Sequence, residues 1–125
     1  MQSILETRAY ANSVKDLGLT EDEQFEIIST ISENPTLGEI IPGTGGARKI
    51  RFAKPGKGKR SAYRVVTYYA ADDVPVFLLD IYSKGEKINL SQAERNEMKK
   101  SLGGIVNDYR KSTRAKVTKL GKVAS

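Results

Sequence analysis

Three strand-like runs follow one another with only short connections between them, and this order limits the fold more than any other feature. The runs are 47–53 (ARKIRFA), 62–70 (AYRVVTYYA) and 74–82 (VPVFLLDIY). In the first, Ile50 and Phe52 alternate with Lys49 and Arg51, so apolar and cationic side chains leave the strand on opposite faces. In the second, Arg64, Val66 and Tyr68 share one face, and Tyr63, Val65, Thr67 and Tyr69 share the other. The third is almost continuously apolar, as expected of a strand buried on both faces. Pro75 belongs at its beginning, because proline cannot donate to a ladder. A loop broken by glycine and proline, 54–61 (KPGKGKRS), joins the first two runs, and Asp72–Asp73 turns the chain into the third. Strands joined this closely are antiparallel, with helices laid against one face of the sheet.

The flanking segments read as helices. Residues 2–6 fit a short strand, and 7–17 carry Tyr10, Val14 and Leu17 at helical spacing until Gly18 breaks it. Thr20 and Glu23 form a capping box, in which each side chain satisfies the other's backbone amide. The helix they open carries Phe25, Ile28 and Ile31 and ends at Asn34–Pro35. Residues 36–46 (TLGEIIPGTGG) are a connection. Its GTGG lacks the lysine and hydroxyl of a nucleotide-binding P-loop and precedes a strand, so compact turn geometry is the expected use. Ser91 and Glu94 form a second capping box, before a helix with Met98, Leu102, Ile105, Val106 and Tyr109 on one face. Gly103–Gly104 marks a potential kink or split in that helix. The expected architecture is α+β: a small antiparallel sheet of three to four strands, flanked by two N-terminal helices and a C-terminal helix. One domain is expected over 1–110, followed by a flexible basic tail over 111–125.

Charge is strongly segregated. Residues 1–42 hold eight acids against two bases, residues 43–64 hold eight bases and no acid, and residues 109–125 hold six bases and no acid. That distribution turns one surface toward an anionic ligand and another away from it. The chain has neither cysteine nor histidine. Disulfides and thiolate metal sites are thereby excluded, and acid–base chemistry falls to Lys, Arg, Tyr or carboxylates. No apolar run approaches the roughly 20 residues that span a bilayer, and no secretory pattern opens the chain, so a cytoplasmic, membrane-free setting is expected.

The strand face carrying Lys49, Arg51 and Arg64 is the candidate site, and Lys84, just beyond the third run, is within reach of it. Such a cluster holds a phosphate backbone by charge-assisted hydrogen bonds. Arg48, Lys54, Lys57, Lys59 and Arg60 extend the basic surface for RNA, and the tyrosines at 63, 68, 69 and 82, Tyr82 above all, can stack on bases where exposed. The plainer assignments are core for the tyrosines and a solvated sheet face for the cations. RNA carries its own nucleophile, the 2′-OH, so an enzyme needs only to align it, ease its deprotonation and neutralise the phosphate. A lysine crowded by other cations can act as the base, whereas arginine stays protonated and stabilises charge.

The segments NPTLGEIIPGTGGARKIR, GKGKRSAYRV and LLDIYSKGEKINL, with SQAE after the last, resemble the RelE/HigB toxins of bacterial type II toxin–antitoxin modules, and the HigB branch most. The likeness covers about half the chain, 34–90. It implies a small antiparallel sheet flanked by helices. It also implies a ribosome-dependent mRNA endoribonuclease that cuts the message in the A site through the 2′-OH, leaving a cyclic phosphate and using no metal or other cofactor. By position, Arg64 would stabilise the phosphate, Lys49 or Arg51 would act as base, and Lys84 would support the leaving group. The implied partners are the ribosome, mRNA and a helix-turn-helix, HigA-like antitoxin. Some RelE members carry a catalytic tyrosine shortly after the strand-end basic residue, where this chain has Gly85–Glu86–Lys87–Ile88–Asn89–Leu90, so its mechanism cannot use one there. Two other functions use the same basic surface: a non-catalytic RNA- or DNA-binding module, and a subunit docking an acidic protein.

Overall fold

Side-chain caps set where each helix begins. In the computed structural model, which describes residues 1–53, 62–83 and 90–124 with side chains through 113 in the last segment, the first cap is Thr7. Its Oγ1 accepts from the Tyr10 N–H at 3.3 Å and donates to the Leu78 carbonyl at 2.7 Å, joining helix start to sheet. The elements in order are β1 (Ile4–Glu6), α1 (Arg8–Leu17), α2 (Glu21–Glu33), β2 (Glu39–Ile40), β3 (Arg48–Ala53), β4 (Ala62–Tyr68), β5 (Val76–Ser83) and α3 (Gln92–Ala124). Both capping boxes form: Thr20 with Glu23 at 3.0 and 3.1 Å, and Ser91 with Glu94 at 3.1 Å in each direction. Losing such a cap typically costs about 1 kcal/mol. Gly18 closes α1 at φ 67°, the left-handed conformation that glycine adopts without a Cβ penalty.

The five strands lie in the order β1-β5-β4-β3-β2. The three long strands are antiparallel as expected, but the sheet is mixed and wider than the sequence implies. β1 runs parallel to β5, pairing Ile4 with Val76, and the two-residue β2 pairs antiparallel with β3. β1 falls within the 2–6 segment read as a short strand, whereas β2 has no local pattern. β2 is too short to show alternation, and the direction of β1 depends on the whole intervening chain. One β-bulge interrupts β4–β5: Val66 faces Asp80 while Thr67 faces Leu78, leaving Leu79 as the extra residue.

Helices cover both faces, which corrects the single-face expectation. On one side Tyr10 and Val14 of α1 and Ile27 and Ile31 of α2 pack against Ile50, Tyr63, Val65, Leu78 and Ile81. On the other, Met98, Leu102 and Ile105 of α3 pack against Val66, Tyr68, Leu79 and Tyr82. The reason is legible in β4, where Val65 and Val66 are 0% and 6% exposed although they point to opposite faces. A strand buried on both sides requires a layer on both.

α3 is continuous through Gly103–Gly104 and onward to Ala124, through the segment read from the sequence as a flexible basic tail. A Cβ at Gly103 or Gly104 would meet nothing within 4 Å among the described residues. Arg110 ties the helix to the β4–β5 turn, its Nε and Nη2 donating to the two Asp73 carboxylate oxygens at 2.9 and 2.8 Å. This holds the Asp73 carboxyl below its ordinary pKa. The Phe77 and Tyr109 rings meet edge to face at 6.0 Å farther in.

Two glycines thus make opposite predictions. At Gly38, φ is +98°, and an added Cβ would lie 2.6 Å from Ile50 Cγ1 and 2.7 Å from the Lys49 carbonyl oxygen. Gly38→Ala should lose about 2 kcal/mol or more in urea denaturation. Gly104→Ala should gain up to about 1 kcal/mol. A Gly38→Ala protein unfolding at the wild-type midpoint would contradict the close packing of this turn on β3.

Candidate functional site

Register places like charges side by side. Across β3, β4 and β5, Arg51 faces Arg64 and Arg64 faces Tyr82; one row away, Lys49 faces Val66 and Val66 faces Asp80. Lys49 also faces Glu39 on β2. Directly paired residues on neighbouring strands lie about 5 Å apart and alternate residues along one strand about 7 Å apart. Lys49, Arg51 and Arg64 therefore make a compact triangle on the sheet face that α3 only partly covers.

Within that triangle Lys49 and Arg51 are exposed, while Arg64 is half-buried. The Arg64 Nη1 atom is buried and has no hydrogen-bond partner among the described residues. A buried guanidinium donor without an acceptor, set opposite a second guanidinium, is unfavourable for the folded chain by itself. An anion lying between the two arginines would supply the acceptor and offset the repulsion. A shallow cavity of about 500 Å³ over these residues is lined by Leu37, Gly38, Glu39, Lys49, Ile50, Arg51 and Arg64.

A second cavity, of about 400 Å³, lies alongside, between the sheet and the first turns of α3. It shares Glu39 and Lys49 with the first and adds Ile41, Val66, Leu79, Tyr82, Arg95 and Met98 among its walls. Tyr82 is half-buried at the junction. Burial raises its phenol above the ordinary pKa, the Arg64 charge opposes that rise and the Asp80 charge adds to it. Tyr82 is accordingly a neutral hydrogen-bond donor and an aromatic surface at neutral pH.

Other residues singled out from the sequence are placed elsewhere or fall outside the described residues. Arg48 alternates with Lys49 onto the opposite face, where its Nη1 donates to the Gly38 carbonyl at 3.1 Å and so holds the β2 connection. Tyr63 is 7% exposed in the core beneath α1 and α2, where burial raises its pKa and Glu23 adds to the rise. Tyr68 packs under α3, and the Tyr69 hydroxyl donates to Asp72 Oδ1 at 2.6 Å while accepting from Gln2. Of the four tyrosines, Tyr82 alone lines the cavities. Lys54, Lys57, Lys59 and Arg60, as well as Lys84, lie outside the described residues.

Glu39, Asp80 and Arg95 are the charged cavity residues that sequence reasoning passed over. Glu39 comes from a connection with no visible strand. Arg95 did carry a signal: it stands in the first turn of α3, where a cation opposes the positive end of the helix dipole.

Over residues 2–124 the chain matches the family model of the RelE toxin of the RelE/RelB toxin–antitoxin system. The chain belongs to the RelE toxin family. That match takes in the whole of the sheet and the long α3 helix, beyond the half of the chain whose motifs carried the resemblance. RelE family members are toxins of toxin–antitoxin pairs and generally endoribonucleases. Among the described residues, the basic triangle gathers three cations on one sheet face, an arrangement able to hold a phosphodiester.

Replacing Arg64 tests whether its charge is held for a ligand. Arg64→Met should melt at or above the wild-type temperature, within about 1 kcal/mol in stability. A short single-stranded RNA should raise the wild-type melting temperature and leave that of Arg64→Met nearly unchanged. A loss of more than about 2 kcal/mol in the RNA-free variant would show that the protein itself satisfies Arg64.

Proposed function

We propose that this chain is a ribosome-dependent mRNA endoribonuclease, a toxin that cuts translated message in the A site. The observation that carries the reading is the Arg51–Arg64 pair, with the Arg64 Nη1 buried and unpartnered among the described residues. Membership of the RelE toxin family supports the reaction class. The HigB-like motifs support assignment to that branch, with a HigA-like helix-turn-helix antitoxin as partner. A ribosomal target implies action in the cytoplasm.

The chemistry follows from the residue types. Arg64 and Arg51 bind the two non-bridging oxygens of the scissile phosphate and stabilise the negative charge that grows there in the transition state. Lys49, the lysine beside these two arginines, removes the 2′-OH proton. The 2′-oxygen bonds to phosphorus as the bond to the 5′-oxygen breaks. A 2′,3′-cyclic phosphate and a 5′-hydroxyl result; the 5′-oxygen takes a proton from Lys84, a role that rests on the resemblance alone, and no metal is needed for these steps. The ribosome's part is to hold the message so that the 2′-oxygen, phosphorus and 5′-oxygen approach alignment. A guanidinium cannot serve as the base, so Lys49 takes that role in preference to Arg51.

Mapping of messenger 5′ ends after brief induction should reveal cuts phased to the reading frame. Arg64→Ala, shown to be folded by circular dichroism, should reduce them about 100-fold or more. Undiminished cutting by that variant would remove Arg64 from the site. A folded, ribosome-associated wild type that produces no new ends would favour a non-catalytic RNA-binding module.

A further inference from the structure

Two apolar features complement each other but stand on opposite sides of the sheet. The first is Phe25, 72% exposed on α2, whose Ile27 and Ile31 pack against the sheet while Phe25 is turned away from it. Glu21 and Asp22, four and three residues earlier, lie beside Phe25 on the same helix face, and Glu26 follows it; all three are exposed. α2 carries no lysine or arginine to balance them. The second feature is the cavity of about 400 Å³ between the sheet and α3. Ile40, Val66, Leu79 and Met98 make much of its wall apolar, and Ile40 is 55% exposed. Its two carboxylates are offset: Ser13 Oγ and the Ile81 N–H donate to Asp80, and Lys49 faces Glu39 across β2 and β3. Arg95, whose buried Nε has no partner among the described residues, and the neighbouring Arg51 and Arg64 leave this side of the sheet cationic.

We propose that a second copy of this chain docks here, its Phe25 entering the cavity and its Glu21, Asp22 and Glu26 meeting Lys49, Arg51, Arg64 and Arg95. Complementary charge selects this pairing over the symmetric ones. Phe25 against Phe25 would set two acidic faces together, and cavity against cavity would oppose two cationic triangles. An aromatic ring seated in an apolar pocket and surrounded by opposite charges has the anatomy of an interface hot spot. The docking face and the receiving face lie on opposite sides of one molecule. The contact is therefore heterologous, and symmetry does not limit it to two copies. Each receiving copy has its triangle covered, so association removes those cations from any RNA. The proposal goes beyond the cleavage function and does not require it, since association needs only the two surfaces.

The test is sedimentation velocity of the full chain over a range from about 1 to about 100 μM. At about 50 mM salt the average mass should rise with concentration past that of a dimer, and about 500 mM salt should weaken association roughly tenfold or more. Phe25→Ser should weaken it about tenfold or more while melting at the wild-type temperature. Arg51→Glu, which sets a carboxylate opposite Arg64 within the fold, should likewise stay monomeric alone. Mixed one to one, the two variants should form a dimer that grows no further. In that mixture Arg51→Glu supplies an intact Phe25, and Phe25→Ser supplies an intact cationic cavity. A wild type that stays monomeric throughout, a dimer strengthened by salt, or variants that fail to complement each other would overturn the proposal. A wild type that cuts no messenger, while its variants still form the mixed dimer, overturns the cleavage function and leaves this contact standing.

Discussion

Burial of β4 and β5 on both sides is the constraint from which the rest of the molecule follows. Val65 and Val66 point oppositely and are both removed from water, as are Leu78 and Ile81 on one face and Phe77 on the other. Such strands are stable only between two layers, because apolar surface left facing water forfeits about 25 cal/mol for each Å² uncovered. α1 and α2 supply one layer and α3 the other. α3 is longer than the sheet is wide and leaves part of its face open. On that open part the alternation of β3 changes from packing to charge, and the basic triangle lies there.

The triangle is unfavourable for the folded chain by itself. Placing arginine opposite arginine repels, and burying Arg64 Nη1 without an acceptor adds a desolvation cost of about 1–3 kcal/mol. A strand is also a stiff platform, so the three cations are held in place before any ligand arrives, which is what electrostatic stabilisation of a transition state requires.

Much of this was legible in the sequence because it is written locally. Both capping boxes, the glycine stop after Leu17, the three long strands and the Lys49–Arg51 face each depend on residues within a few positions of one another. What could not be read depends on register and on distant chain. Nothing near Glu39 announces a two-residue strand, and nothing near Ile4 fixes a parallel pairing with Val76. The Arg51–Arg64 juxtaposition needs the β3–β4 register, which a loop read only as flexible does not fix. The second helical layer was available in principle: a third run apolar throughout already required cover on both faces. Gly103–Gly104 suggested a break that the helix does not make, since its packing on the sheet outweighs a propensity cost of about 1 kcal/mol per glycine.

The proposed reaction requires the messenger to provide its own nucleophile to a histidine-free cationic face. The most direct measurement is cleavage on programmed ribosomes of two messages that are identical except for a single 2′-deoxyribose at the mapped cut. The all-ribose message should be cut and end in a 2′,3′-cyclic phosphate. The deoxy message should remain intact at that bond while the protein still binds the ribosome. Cutting of the deoxy message at the rate of its ribose counterpart would contradict the account, because some nucleophile other than the 2′-OH would then be at work.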